Sequence, residues 1–225
     1  METAFERTIS LIGEQKFDKL MQANVLVVGL GGVGGAAAET LVRSGVGKLS
    51  FVDGDVFEST NLNRQLLCTL NEIGKNKAEA ACERALSIVS DADVTAVPQY
   101  ITQNNAAELL SVKFDYCVDA IDDLKNKVLL VSECKRRGIR IISAMGAGNR
   151  LDCGFAVCDV FETKDDPFAR KFRRELKAVG VTDLDVVCAT SPPYIKACIP
   201  ASIAAPPLVM GAMLASHVVR RLIEQ

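Results

Sequence analysis

The segment Gly29-Leu30-Gly31-Gly32-Val33-Gly34 constrains this chain more than any other, because it falls between an apolar run, Val25-Leu26-Val27-Val28, and a segment of high helix propensity, Ala36 to Ser44. A short, β-branched run bounded by glycine reads as a buried strand. Gly29 then permits a tight turn, Gly31 lets an anion approach the backbone, and Gly34 lets helix and strand pack closely. Gly32 keeps the loop free of side chains, and the helix N-terminus that follows favours negative charge. Lys48 to Val52 reads as a second strand ending in Asp53, 19 residues after Gly34, where a carboxylate accepts hydrogen bonds from ribose hydroxyls. The spacing is that of a βαβ unit with parallel strands.

The alternation continues. Thr8 to Gln22 reads as an amphipathic helix ahead of the first strand, and Lys75 to Val89 as an Ala- and Glu-rich helix after a loop from Asp53 to Leu70. Strands are expected at 94–98, 116–118 (ending in Asp119) and 140–143, with helices at 104–110 and 125–137 between them. Such a pattern calls for an α/β fold, a Rossmann-like mostly parallel sheet with helices on both faces. Beyond Gly148 the pattern changes to a strand at 155–161, a helix at 167–179, a short strand at 186–187 and a closing helix. The division expected is residues 1–150, a nucleotide-binding domain with an N-terminal helix, and residues 151–225, a small α+β extension that completes the sheet and supplies a substrate and dimer surface.

Composition narrows the function classes. With 49% hydrophobic and 24% charged residues and a net charge of −2, nothing draws the whole chain to nucleic acid or an anionic membrane, so a polyanion must meet a local patch. None of the eight cysteines forms a Cys-x-x-Cys pair, which argues against a zinc ribbon or dithiol motif. Met1 to Ser10 carries charge and lacks the apolar core of a signal peptide, so a reducing cytoplasm with free thiols is expected. The uncharged stretch 199–219 matches a membrane span in length, but Pro200, Pro206 and Pro207 interrupt it. That leaves Leu208 to Val219 as a core or interface helix, and no membrane span is expected.

Glycines and one aspartate describe any adenine-nucleotide binder. The choice between NAD and ATP turns on Asp53-Gly54-Asp55, Asn61-Leu62-Asn63-Arg64-Gln65 and Lys77. A dinucleotide pyrophosphate is held by helix-end amides, whereas a triphosphate calls for cations such as Arg64 and Lys77. The single histidine, His217, sits in the last helix, away from any hydride-transfer site.

Together these residues resemble the ThiF/MoeB/ubiquitin-activating (E1-like) adenylating superfamily, whose pattern adds an Asp after a later strand, here Asp122 in Val118-Asp119-Ala120-Ile121-Asp122-Asp123. Within it the chain is similar to the tRNA threonylcarbamoyladenosine dehydratase branch, through Phe5-Glu6-Arg7-Thr8, Ala144 to Asn149, Asp159 with Thr163-Lys164 and Asp166-Pro167, Arg173 to Leu176, and Pro200 to Ile203. The resemblance implies ATP-dependent adenylation of the threonylcarbamoyl carboxylate on adenosine 37 of tRNA, then ring closure with net loss of water. It implies that Arg64 and Lys77 stabilise phosphate charge, that Asp53, Asp55 and Asn61 border the nucleotide, and that Asp122 holds Mg²⁺, although Asp is also favoured as a helix cap. It further implies a homodimer in which Arg7 reaches the neighbouring subunit's nucleotide, a monovalent cation (K⁺ or Na⁺) at the C-terminal loops, and a sulfur-relay partner protein. The basic residues of the 167–179 helix, Arg170, Lys171, Arg173, Arg174 and Lys177, are the local candidate for tRNA phosphates, opposite Phe168, Phe172, Leu176 and Val179. Two rivals stand beside this reading. One is an activator of a ubiquitin-like sulfur carrier, with Cys188 or Cys198 as acceptor thiol; the other is a non-catalytic NAD-binding scaffold, disfavoured by Arg64, Lys77 and Asp122.

Overall fold

The computed structural model describes residues 2–163, 167–197 and 201–224. Its frame is one seven-stranded sheet, built from β1 (Asn24–Val28), β2 (Lys48–Val52), β3 (Asp93–Val97), β4 (Tyr116–Asp119), β5 (Arg140–Ala144), β6 (Phe155–Asp159) and β7 (Asp185–Ala189). The order is β3-β2-β1-β4-β5-β7-β6, and every neighbouring pair is parallel except β6 with β7. Mostly parallel strands need both faces covered. α3 (Gly32–Ser44), α4 (Lys77–Ile88) and α8 (Ala205–Ile223) cover one face, while α6 (Leu124–Arg137) and α7 (Pro167–Ala178) lie against the other, near the single-turn α5 (Ala106–Leu109). The pleat divides the strand residues accordingly. Val25, Val27, Phe51 and Val118 enter the first core, and Leu26, Val28, Val52 and Cys117 the second.

The expected elements are present, with shifted bounds that have local causes. The single N-terminal helix is two, α1 (Glu2–Ile12) and α2 (Glu14–Gln22), because Gly13 between them adopts φ 83°, a left-handed conformation that a continuing helix excludes. The strand expected to run on to Phe161 stops at Asp159, whose carboxylate accepts from the Phe161 amide and caps the 3₁₀ turn Val160–Glu162. α8 begins at Ala205, not Leu208. Pro206 and Pro207 sit in its first turn, where a missing N–H breaks no helical bond. This helix is core, with Met210, Leu214, Ala215 and Val218 buried, and it packs on α3 closely enough that a Cβ on Gly211 would lie 2.2 Å from the Val33 carbonyl oxygen. Among the described residues no helix is long and apolar enough to cross a membrane.

α7 buries Ala169, Phe172 and Leu176, while Val179, expected on the same face, is half exposed beyond the helix end. Arg173 departs further from expectation. It turns inward, donating from Nη1 to the Thr163 carbonyl at 2.6 Å and to the Thr163 hydroxyl, so it leaves the solvated basic face. Lys164, Asp166, Cys198 and Pro200 lie outside the described residues.

Candidate nucleotide-binding site

A parallel sheet whose order reverses leaves a crevice beyond the carboxyl ends of its strands, between the two that diverge. Here that point is between β1 and β4, and a cavity of about 900 Å³ opens there, lined by residues that follow β1, β2, β3, β4 and β5. The glycine loop forms its floor. Gly29 has φ 86°, and a Cβ there would lie 2.7 Å from the Ala120 carbonyl oxygen. A Cβ on Gly34 would fall 1.7 Å from the Gly29 carbonyl oxygen, and one on Gly32 would lie 2.9 Å from that of Arg64. Gly31 differs: its nearest neighbour would be the Gln65 side-chain nitrogen at 3.9 Å, so the chain itself has room for a side chain there and what is kept clear is the cavity. Gly31 is also the N-cap of α3, placing the orphan amides of that helix at the floor.

Asp53 sets the shape of this loop. Its carboxylate accepts from the Leu30 amide at 2.6 Å and the Asp55 amide at 2.8 Å, bridging the first and second strand ends. Burial raises its pKa above the usual carboxylate range despite those two bonds. Asp55 behaves oppositely. Burial pushes its pKa up, but the Tyr100 hydroxyl and the Lys77 ammonium, 2.9 Å away, outweigh that and hold it below the ordinary value. Lys77 is buried at the start of α4, which Asn76 caps by accepting from the Ala78 amide at 2.8 Å. Arg64 borders the cavity with its guanidinium on the Thr60 carbonyl (2.9 Å) and the Asn63 amide oxygen (3.0 Å).

Asp122 lines the opposite wall. The helix cap at this place is its neighbour, since the Asp123 carboxylate accepts from the Asn126 amide at 2.8 Å; Asp122 accepts no hydrogen bond among the described residues. The loop carrying both is anchored from below by a buried ion pair. Lys127 Nζ lies 3.0 Å from Asp119 Oδ2 and donates to the Ile121 carbonyl at 3.0 Å, while Ser143 Oγ donates to Asp119 Oδ2 at 2.6 Å.

The structure therefore brings together Gly29, Gly31, Gly32, Asp53, Asp55, Arg64, Lys77 and Asp122 on one cavity, with Gly34 directly behind the loop. It does not bring Asn61 or Arg7. Asn61 is buried in the 3₁₀ turn Ser59–Asn61, where its side chain closes a capping box with Glu58, and this holds Arg64 and Gln65 in place. Arg7 is exposed on α1 and lines no part of the cavity. Cys188, a candidate acceptor thiol, is buried in β7 with its sulfur 3.1 Å from that of Cys158, also away from the cavity. Three features carry more than the pattern alone assigned them. Gln65 is buried on the cavity wall with an Oε1 that has no partner among the described residues, Tyr100 fixes Asp55, and the Asp119–Lys127 pair fixes the Asp122 loop. An orphaned acceptor beside an open glycine is what a bound group with a hydrogen-bond donor would satisfy.

Comparison with known proteins agrees with this geometry. The model of the ThiF family matches residues 5–225. The tRNA threonylcarbamoyladenosine dehydratase of Escherichia coli is 38% identical over 175 residues, 77% of this chain and 65% of that protein. Its Bacillus subtilis counterpart is 36% identical over 178 residues, 79% and 70% of the two chains. The crystal structure of the E. coli dehydratase in complex with ATP superposes with a TM-score of 0.92 at 32% identity, covering 99% of this chain and 95% of that one. The alignment with the first of these relatives thus spans slightly under two thirds of its length. The chain belongs to the ThiF family, and its nucleotide cavity is built on that family's Rossmann-like sheet.

Proposed function

We propose that this chain is an ATP-dependent tRNA threonylcarbamoyladenosine dehydratase. The observation that carries the reading is the cavity itself, in which a side-chain-free glycine floor, two cations and a carboxylate that accepts no hydrogen bond from the described residues converge at the strand ends. The similarity to the E. coli and B. subtilis dehydratases supports the choice of substrate. A carboxylate is a poor electrophile because its oxygen is a poor leaving group, and adenylation corrects this. The threonyl carboxylate attacks the α-phosphorus of ATP and pyrophosphate leaves. The ureido group of the same nucleoside then attacks the activated carbonyl, loses a proton and expels AMP. The nucleoside has lost one water and ATP has become AMP and pyrophosphate. Because the second step is intramolecular, its high effective molarity removes the need for a protein nucleophile.

In this scheme Arg64 and Lys77 stabilise charge on the phosphates as pyrophosphate departs, and the α3 amides meet the remainder. Asp53 and Asp55 border the ribose side. Asp122 would hold Mg²⁺, which would supply neutralising charge to the phosphates. No cluster of three metal-ligating side chains occurs among the described residues, so the ion would take most of its ligands from phosphate and water, as Mg²⁺ commonly does. A homodimer in which Arg7 contributes across the interface, and a cytoplasmic location, belong to the same proposal.

The test is turnover of ATP to AMP and pyrophosphate with tRNA bearing threonylcarbamoyladenosine, against unmodified tRNA and a Gly-Gly-ended carrier protein, reading the nucleoside by mass. Loss of one water, abolished in Asp122→Ala, is the expected result. Turnover with the carrier protein alone would refute it and place the chain among the sulfur-carrier activators.

A further inference from the structure

We infer that the solvent face of α7 is a docking ridge for the phosphate backbone of the tRNA substrate, leading to the mouth of the nucleotide cavity. This rests on the dehydratase reading. The sequence is slightly acidic overall, yet five of the twelve residues of α7 are cationic and one, Glu175, is acidic. The fold sorts these five. Arg173 is consumed inside by Thr163, while Arg170, Lys171, Arg174 and Lys177 are exposed. Positions 170, 174 and 177 lie one turn apart on one side of a helix about 18 Å long.

Most of this charge is not spent on the protein. Among the described residues Arg170 and Lys171 have no acidic partner, and Arg174 pairs only with the adjacent Glu175 at 2.7 Å. Lys177 is exposed, and its ammonium lies 5.6 Å from the centroid of the Phe161 ring, a contact that involves no acid and leaves its positive charge uncompensated. Place matters as much as charge. Phe168, in the first turn of α7, lines the nucleotide cavity, as do Asp122 and Asn126 at the adjoining start of α6. A polyanion lying along Lys177, Arg174 and Arg170 therefore runs toward the site where the threonyl carboxylate must be activated.

The same face argues against a lipid surface. A helix that lies on a membrane inserts an apolar side. The apolar side of α7, with Ala169, Phe172 and Leu176, is already buried in the protein core.

The experiment compares the full-length wild type with the triple variant Arg170→Gln/Lys171→Gln/Arg174→Gln and with a control triple of exposed lysines off α7, Lys16→Gln/Lys48→Gln/Lys113→Gln. Binding of threonylcarbamoyladenosine tRNA is measured across a salt series, alongside turnover, ATP binding and binding to anionic phosphatidylserine vesicles. In the α7 variant the tRNA Kd and KM should rise at least about tenfold and the log–log salt slope fall by about two to three, one for each phosphate that is no longer neutralised. ATP binding, and kcat at saturating tRNA, should stay at the wild-type value. The inference is overturned by a variant whose tRNA affinity and slope match the wild type, by an equal loss in the control triple, or by loss of vesicle binding with tRNA binding intact. A wild type that binds tRNA through α7 without dehydrating the nucleoside would refute the reaction while leaving the ridge standing, so the two failures are distinguishable.

Discussion

The ion pair beneath the site offers a demanding test of how the cavity wall is held. Asp119 and Lys127 are both wholly inaccessible to solvent, and their charges are 3.0 Å apart. Taking one partner away from a buried pair leaves the other ionised in the core, which costs about 3–5 kcal/mol. Lys127→Met reproduces the aliphatic stem as far as Cε and deletes only the ammonium, which lies 5.7 Å from the Phe172 ring centroid, so the loss should reflect charge more than volume. The stranded Asp119 carboxylate would retain the Ser143 hydroxyl and the Ile121 amide, which places the expected cost toward the lower part of that range. For a chain of this size the melting temperature should fall by about 6–15 °C, at about 2–4 °C per kcal/mol. The double variant Asp119→Asn/Lys127→Met removes both charges. Its loss should undershoot the sum of the single losses by at least about 2 kcal/mol, the coupling expected of residues that touch. Urea unfolding of the four proteins, followed by midpoint and slope, supplies the cycle. A single variant within about 1 kcal/mol of wild type, or strictly additive losses, would show that the pair does not hold the Asp122 loop.

Three further outcomes follow from the same geometry. Gly31→Ala should fold with near-native stability and lose at least about tenfold in ATP affinity, whereas Gly34→Ala, whose Cβ would lie 1.7 Å from a carbonyl oxygen, should fail to fold; thermal melts with and without ATP separate the two. Burial, only partly offset by Asp185, holds the His217 pKa below the usual imidazole value of 6.5, with Arg220 and Arg221 adding to the depression. The unfolded chain therefore binds this proton more readily, stability should fall as pH drops from about 7.5 to 5.5, and His217→Gln should flatten that part of the profile in pH-dependent urea midpoints. Asp55→Asn removes the carboxylate that holds Lys77, so the free protein should melt lower while the shift in melting temperature on adding ATP grows; a smaller ATP shift would contradict the exchange of Asp55 for phosphate at the Lys77 ammonium.

The sheet was legible because its signals are local and redundant. Apolar β-branched runs, glycine at Gly29 and Gly34, and acids at the strand ends repeat along the chain, and each points to the same parallel arrangement. Cation placement was legible in type but not in partner. Lys77 read as a phosphate cation and Lys127 carried no reading beyond lying within a helix, and only the packed chain shows each buried against an aspartate at a strand end, Asp55 beyond β2 for Lys77 and Asp119 of β4 for Lys127. Asn61 misled because a residue at the right spacing in a nucleotide motif was also a good turn former, and the turn took its side chain. Arg173 misled for a related reason, since helical periodicity assigns a face but not a long side chain's reach, and the Thr163 carbonyl lay within that reach. Gln65 stood in the quoted motif without a role of its own, because an unpaired Oε1 is a property of surroundings that only the folded cavity shows.

These details share a logic of charge. A site for a triphosphate must keep cations concentrated while empty, and bare buried cations are costly. Here Arg64 rests on neutral oxygens and Lys77 on an aspartate whose side chain is half exposed. Neither partner is a deep one, so under the proposed function incoming phosphate oxygens would replace bonds of the same kind. The Tyr100 hydroxyl keeps Asp55 oriented and ionised, so that under the proposed function Asp55 would retain a polar partner when Lys77 turned to phosphate. The pair that cannot be displaced, Asp119 with Lys127, lies below the floor, where its job is to hold backbone. Among the described residues, the acid on the wall with neither a cation nor an amide donor is Asp122. A negative group without a cation beside Arg64 and Lys77 is what the metal–nucleotide complex of the proposed function would complete, and the alternative of a dinucleotide, with its lower charge, would leave both Lys77 and Asp122 without a reason to face the same cavity.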